Sequence, residues 1–140
     1  MSFIDGIKER AKKDIKTIVL PESEDERTLR ATAKILEEKT ANIILIGDEA
    51  TVKADAEKYG VNIDSATIIN PETSDKLEEY VNTLYELRKA KGMTPEAARE
   101  ALLSDRTTFG VMVLKTGGAD GLVSGACHST ANTLRPALQI

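Results

Sequence analysis

The chain of 140 residues has little of what several classes of protein require. It has one cysteine and one histidine, Cys127 and His128, so it can form neither an intramolecular disulfide nor a complete structural zinc site. Its longest apolar runs, such as residues 111–114, are far too short for a membrane-spanning helix. Its 19 basic and 23 acidic residues give a net charge of −4, which argues against a chain-wide nucleic-acid surface. We therefore expect no protein-bound metal, and no membrane or nucleic acid as a partner.

What the chain does have is the composition of a folded globular protein, 41% hydrophobic and 30% charged. Its N-terminus lacks the apolar stretch of a secretory signal, which together with the single cysteine favours the cytoplasm. Short β-branched runs alternate with longer amphipathic segments, and this alternation predicts a parallel sheet covered on both faces. The fold class is therefore α/β in three layers, and the length by itself indicates a single core. Strands are predicted at about residues 18–20, 42–46, 66–71 and 119–125, and helices at about 2–13, 24–39, 48–60, 74–91, 94–103 and 107–115.

The segment after the last predicted strand is the strongest candidate for a site. Gly125 stands at the carboxyl end of that strand, and Ser129 and Thr130 stand where the next helix begins. Ligands of open parallel sheets bind at the carboxyl ends of strands, and a helix N-terminus attracts anions. With Arg135 further along, these residues predict a site for phosphate or a phosphorylated cofactor. They also fit an ordinary turn and a capped helix, because the segment has neither a Walker A nor a dinucleotide fingerprint.

Two neighbouring residues in this segment suggest nucleophilic chemistry, namely Cys127 and His128. Adjacent side chains at the end of a strand point to opposite faces, which argues against a catalytic pair. We expect His128 to form a polar wall of the pocket and Cys127 to be a small buried residue. Asn132 lies on the side of the helix toward which Arg135 can reach back, so it is also a candidate for substrate binding.

Arg88 stands at the C-terminal end of a long predicted helix, followed by Lys89 and Lys91. Basic residues there complement the helix dipole, and they also suit a docking patch for an anionic group on a large cofactor. Both interpretations remain open. The acidic segment at residues 21–30 is interpreted as a capped, charged first helical turn rather than as an acidic pocket.

Several of these segments together resemble the N-terminal part of phosphate acetyltransferases, in the phosphate acetyl/butyryl transferase family. The most specific block is the last, in which ADGLVSGA, HSTA and LRPALQI occur together. The resemblance extends over essentially the whole chain. The other matching segments are IVLPESEDERTLRAT, ANIILIGDE and YELRKAKGMTPEAAREALL.

The resemblance implies a fold like that of isocitrate and isopropylmalate dehydrogenases, with two α/β domains and a cleft between them. Residues 1–140 would then be the N-terminal part of the first domain, with the second domain and a returning C-terminal segment absent. The implied activity is the reversible transfer of an acetyl group between coenzyme A and inorganic phosphate, in acetate metabolism. Family members are usually homodimers and need no metal ligand from the protein.

The family's functional residues carry over where the motifs match. Arg135 in LRPA corresponds to an arginine implicated in coenzyme A binding and in the active site, and Arg88 to one that binds a phosphate of coenzyme A. Ser129 and Thr130 correspond to the loop that lines the acetyl phosphate site, so Gly125, His128 and Asn132 of the same segment are expected to bind substrate too.

The family's expected catalytic base, an aspartate, and a nearby serine–arginine pair come from a C-terminal segment with no counterpart here. We therefore expect this chain alone to be inactive. The helix that starts near Ser129 also stops in mid-pattern at Ile140, which predicts a fragment. Two alternatives are kept: a phosphate butyryltransferase, and a non-catalytic module that binds coenzyme A or phosphate.

Overall fold

The computed structural model describes residues 3–124, which form a four-stranded parallel sheet with helices on both faces. The predicted α/β class and parallel sheet are confirmed. Among these helices, none combines the length and the apolar character that crossing a bilayer requires. The strands are β1 (Lys16–Leu20), β2 (Ala41–Ile46), β3 (Thr67–Ile69) and β4 (Gly121–Leu122). The helices are α1 (Phe3–Lys13), α2 (Glu26–Glu38), α3 (Glu49–Lys58), α4 (Leu77–Arg88), α5 (Pro95–Ser104) and α6 (Arg106–Lys115), with a 3-10 turn at Lys89–Lys91.

The sheet divides the core into two apolar clusters, one on each face. In β2, Ile43 and Leu45 pack on the side of α2 and α3, and Ile44 and Ile46 pack on the side of α4, α5 and α6. Successive side chains of a strand point to opposite faces, so a strand covered on both sides is apolar throughout. This explains the unbroken apolar run of β2. α1 contacts this body through an ion pair of 3.1 Å between Lys8 and Glu38.

Local sequence signals account for most helix ends. Thr94 caps α5 by accepting a hydrogen bond from the Ala97 N–H at 3.1 Å, with a proline at the first helical position as predicted. Gly60 has the predicted left-handed conformation after α3, with φ of 69°. The predicted helix over 74–91 begins later, at Leu77, because the Ser74 side chain bonds the Lys76 N–H at 3.2 Å and forms a turn there.

The strand order is β3-β2-β1-β4, so the chain builds the sheet outward from β1 and then returns to its other side. β4 is held there by a pair of contacts at its start: Asp120 Oδ2 accepts from the Thr17 N–H, and the Asp120 N–H donates to the Thr17 carbonyl, both at 2.8 Å. The order of strands therefore reverses between β1 and β4. In open α/β sheets, ligands bind outside the carboxyl ends of the strands at such a switch point.

Candidate functional site

Most of the predicted site residues lie outside the residues that the structure describes. They remain predictions, and Cys127 lies outside as well. The structure does describe where this segment leaves the sheet, at Ser124 after β4. The predicted residues concerned are Gly125, His128, Ser129, Thr130, Asn132 and Arg135.

A buried carboxylate occupies the switch point between β1 and β4. Glu22 follows β1 and is 2% exposed, and its Oε1 accepts a hydrogen bond of 2.7 Å from the hydroxyl of Ser124. The sequence analysis missed Glu22, because it assigned the whole acidic segment to a helix start. The available signal was its position two residues after the end of a buried strand, at the edge where ligands bind.

The next residue, Ser23, ties this loop to the neighbouring strand. It is 1% exposed, and its hydroxyl donates to the Ile46 carbonyl at the end of β2 over 2.6 Å. Arg106, the first residue of α6, donates to the Ser23 hydroxyl at 3.2 Å and to Glu24 Oε2 at 2.7 Å. A Cβ added at Gly47 would lie 2.6 Å from the Ser23 Oγ, so only glycine fits beside it. The loop after β1 is therefore held by both β2 and α6.

Aspartates already cap three helix N-termini in this part of the fold. Asp25 caps α2, and hydrogen bonds from the Arg27 side chain and then from the Arg27 N–H lower its pKa. Asp48 caps α3, and its pKa is lowered by the Thr51 N–H and then by the Thr51 hydroxyl. Asp105 caps α6. Because carboxylates occupy the N–H groups that would attract a phosphate, these three helix starts disfavour anions.

The segment after β4 differs from these helix starts in its chemistry. Residues 121–140 contain no aspartate or glutamate, and hydroxyl side chains stand at the predicted start of the helix. α4 begins eight residues after β3 and carries Glu78 and Glu79 in its first turn, which also disfavours an anion. Of the helix starts that follow the strands, the one predicted after β4 thus has the sequence best suited to a phosphate.

Arg88 is described by the structure and is the last residue of α4. The ring of Tyr80, near the start of α4, is 5.2 Å from that of Phe109, near the start of α6. Arg88 is eight residues beyond Tyr80, about 12 Å further along the helix axis. Arg88 is half-buried, and its side chain makes no hydrogen bond or ion pair within residues 3–124, whereas Lys89 is paired with Glu86 at 2.7 Å, which raises the pKa of Lys89.

Other features of the described residues lie apart from this edge. A groove of about 860 Å³ runs between α2 and the segment after α3, lined by Arg30, Lys34 and Gly60 among others. No group of three or more histidine, cysteine, aspartate or glutamate side chains within residues 3–124 is placed to hold a metal ion.

The chain is similar in sequence to curated phosphate acetyltransferases. It is 54% identical to that of Acetivibrio thermocellus and 47% identical to that of Clostridium acetobutylicum, over all 140 residues. It covers 41% and 42% of those two proteins, so it spans about two fifths of the length of these relatives.

Solved structures agree with the sequence comparison. The chain superimposes on EutD phosphotransacetylase from Staphylococcus aureus with a TM-score of 0.87 and 42% identity, over 98% of this chain and 41% of that one. The TM-score with a phosphotransacetylase from Streptococcus pyogenes is 0.91 at 40% identity, over 100% of this chain and 43% of that one. Residues 2–140 also match the family model described as Phosphate acetyl/butaryl transferase, and the chain therefore belongs to this family.

Proposed function

We propose that this chain forms the N-terminal part of a phosphate acetyltransferase, which transfers an acetyl group reversibly between coenzyme A and inorganic phosphate. The observation that carries the proposal is the switch point between β1 and β4, where the chain continues into an acid-free segment rich in hydroxyl groups. A site of this kind suits an anionic substrate, and the relatives of this chain are named for phosphate and acetyl transfer.

In the proposed reaction, the thiolate of coenzyme A attacks the carbonyl carbon of acetyl phosphate. A carbon–sulfur bond forms, the carbon–oxygen bond to phosphate breaks, and inorganic phosphate leaves with the electron pair. The groups of this chain act on the phosphate: the hydroxyls of Ser129 and Thr130 donate to it, and Arg135 neutralises its charge. Gly125, His128 and Asn132 complete the walls of the pocket.

Arg88 is proposed to bind an anionic group of coenzyme A at a distance from the reacting atoms. Coenzyme A is a long molecule with phosphates far from its thiol, so one molecule can reach both Arg88 and the switch point. The unpaired guanidinium of Arg88 within the described residues supports this role over that of a purely local helix cap.

The complete enzyme is proposed to be a cytoplasmic homodimer with a second domain and with a C-terminal segment that supplies the catalytic base. Residues 1–140 are then the N-terminal part of the first domain and are inactive alone. No metal takes part through ligands of this chain.

A hybrid enzyme tests the proposal: this chain replaces the segment that it matches in the Acetivibrio thermocellus phosphate acetyltransferase, to which it is 54% identical. Formation of acetyl-CoA from acetyl phosphate and coenzyme A is followed by thioester absorbance, with the unaltered relative as control. We expect turnover by the hybrid and none by the isolated chain. A folded but inactive hybrid would refute the proposal, and faster turnover of butyryl phosphate than of acetyl phosphate would favour a phosphate butyryltransferase.

A further inference from the structure

Glu22 is the only acidic side chain that is buried within residues 3–124. A buried carboxylate is costly to the fold unless hydrogen bonds compensate for its lost hydration, and an apolar side chain of similar size would fill the same space more cheaply. The hydroxyl of Ser124 supplies such a hydrogen bond at 2.7 Å. The hydrogen bond to Ser124 therefore accounts for a polar side chain at position 22, which packing alone would not require.

The backbone on both sides of this hydrogen bond is fixed. Ser23 follows Glu22 directly, and its hydroxyl is bonded to the Ile46 carbonyl at 2.6 Å. Val123 precedes Ser124, and its N–H donates to the Val19 carbonyl at 3.0 Å. The Glu22 carboxylate and the Ser124 hydroxyl are thus presented to each other by two anchored segments that are 102 residues apart in the chain.

We propose that Glu22 is a positioning residue for the acetyl phosphate site, because it holds Ser124 and thereby sets the point from which residues 125–130 leave β4. This inference rests on the proposed function. In this role Glu22 acts as the hydrogen-bond acceptor of the Ser124 hydroxyl. An amide at this position can accept the same hydrogen bond, and a methyl group cannot.

The test uses four variants of the hybrid enzyme: Glu22→Ala, Glu22→Gln, Ser124→Ala and the double variant Glu22→Ala with Ser124→Ala. Glu57→Ala is the matched control, since this exposed glutamate lies on α3. We expect Glu22→Ala to lower kcat/KM for acetyl phosphate at least tenfold, with the KM for coenzyme A changed less than twofold. Glu22→Gln should keep at least a third of the activity, with an unchanged pH profile.

Ser124→Ala should lower kcat/KM for acetyl phosphate as Glu22→Ala does, and the double variant should lose less than the sum of the two single losses, because both substitutions remove the hydrogen bond between these two side chains. Activity of Glu22→Ala within twofold of the parent would overturn the proposal. Equal losses in Glu22→Gln and Glu22→Ala would also overturn it, because they would assign the effect to the charge. Equal rises in both KM values would indicate a general structural role and would overturn it too.

Hydrogen–deuterium exchange gives a readout that needs no activity. Glu22→Ala should speed exchange in peptides covering residues 119–124 and leave β2 protected, and Glu22→Gln should resemble the parent. Faster exchange throughout the sheet, or no change at 119–124, would contradict the positioning role. An inactive hybrid that still shows the localised change would refute the proposed function and leave the positioning by Glu22 supported.

Discussion

The contact between Ser23 and Gly47 predicts that two destabilising substitutions partly compensate each other. A Cβ at Gly47 would stand 2.6 Å from the Ser23 Oγ and 3.2 Å from Val52 Cγ2. The hydroxyl cannot simply move away, because it is buried and bonded to the Ile46 carbonyl. Overpacking of this kind costs about 1–3 kcal/mol, and we expect Gly47→Ala to lower the free energy of unfolding by about 2 kcal/mol.

Ser23→Ala removes the obstructing oxygen together with its hydrogen bond. The loss of a buried hydrogen bond with a partner left behind costs about 1–3 kcal/mol. In the double variant, the added methyl group at position 47 enters the space that the oxygen vacates. We therefore expect the double variant to be less destabilised than the sum of the two single variants, by about 1–2 kcal/mol.

Urea unfolding of the chain followed by far-UV circular dichroism measures these differences, since the sequence has no tryptophan for fluorescence. Gly6→Ala is the matched control: nothing lies within 4 Å of the added Cβ in α1, and the better helix propensity of alanine should leave stability equal or slightly higher. Additive effects of the two substitutions, or a Gly47→Ala variant as stable as the parent, would refute the reasoning.

Three further predictions concern charge. In the hybrid enzyme, Arg88→Gln should raise the KM for coenzyme A at least fivefold and leave the KM for acetyl phosphate unchanged. Substitution of the exposed Lys34, Lys34→Gln, is the control. A KM for coenzyme A equal to that of the parent hybrid would show that Arg88 does not bind coenzyme A. Arg135→Gln should lower kcat at least tenfold in the same assay, and unchanged kinetics would contradict its catalytic assignment. The lowered folded pKa of Asp48 contributes stability that is present above its unfolded pKa of about 3.9 and lost as pH falls through the folded value. Asp48→Asn should therefore make the urea midpoint fall less steeply below about pH 5, and an unchanged pH dependence would count against this effect.

Much of the local structure could be predicted because its causes are local. The Thr94 cap of α5 and the left-handed Gly60 depend on a few neighbouring residues, and both agree with the structure. The predicted positions of helix starts were less accurate where side chains compete for backbone N–H groups. Asp25 makes α2 begin at Glu26, and Ser74 delays α4 to Leu77.

The candidate site was predicted only in part. The motif after β4 predicted a phosphate site at residues 125–135, and the roles of these residues remain predictions. Glu22 was not singled out, because a glutamate near a helix start is ordinarily exposed and this expectation outweighed its position after a buried strand. Glu22 is buried and bonded to Ser124, a residue that follows β4 and is 102 residues away in the chain.

By itself the sequence determined the α/β class, most of the helices and strands, and membership of the family, because periodicity, capping and motifs are carried by short stretches of chain. The tertiary structure decided the strand order, and with it the meeting of Glu22 and Ser124 at the switch point. A parallel strand that is covered on both faces is apolar whichever neighbour it pairs with, so its sequence does not state where in the sheet it lies. Only the packing of α6 and β4 against β1 settles that question.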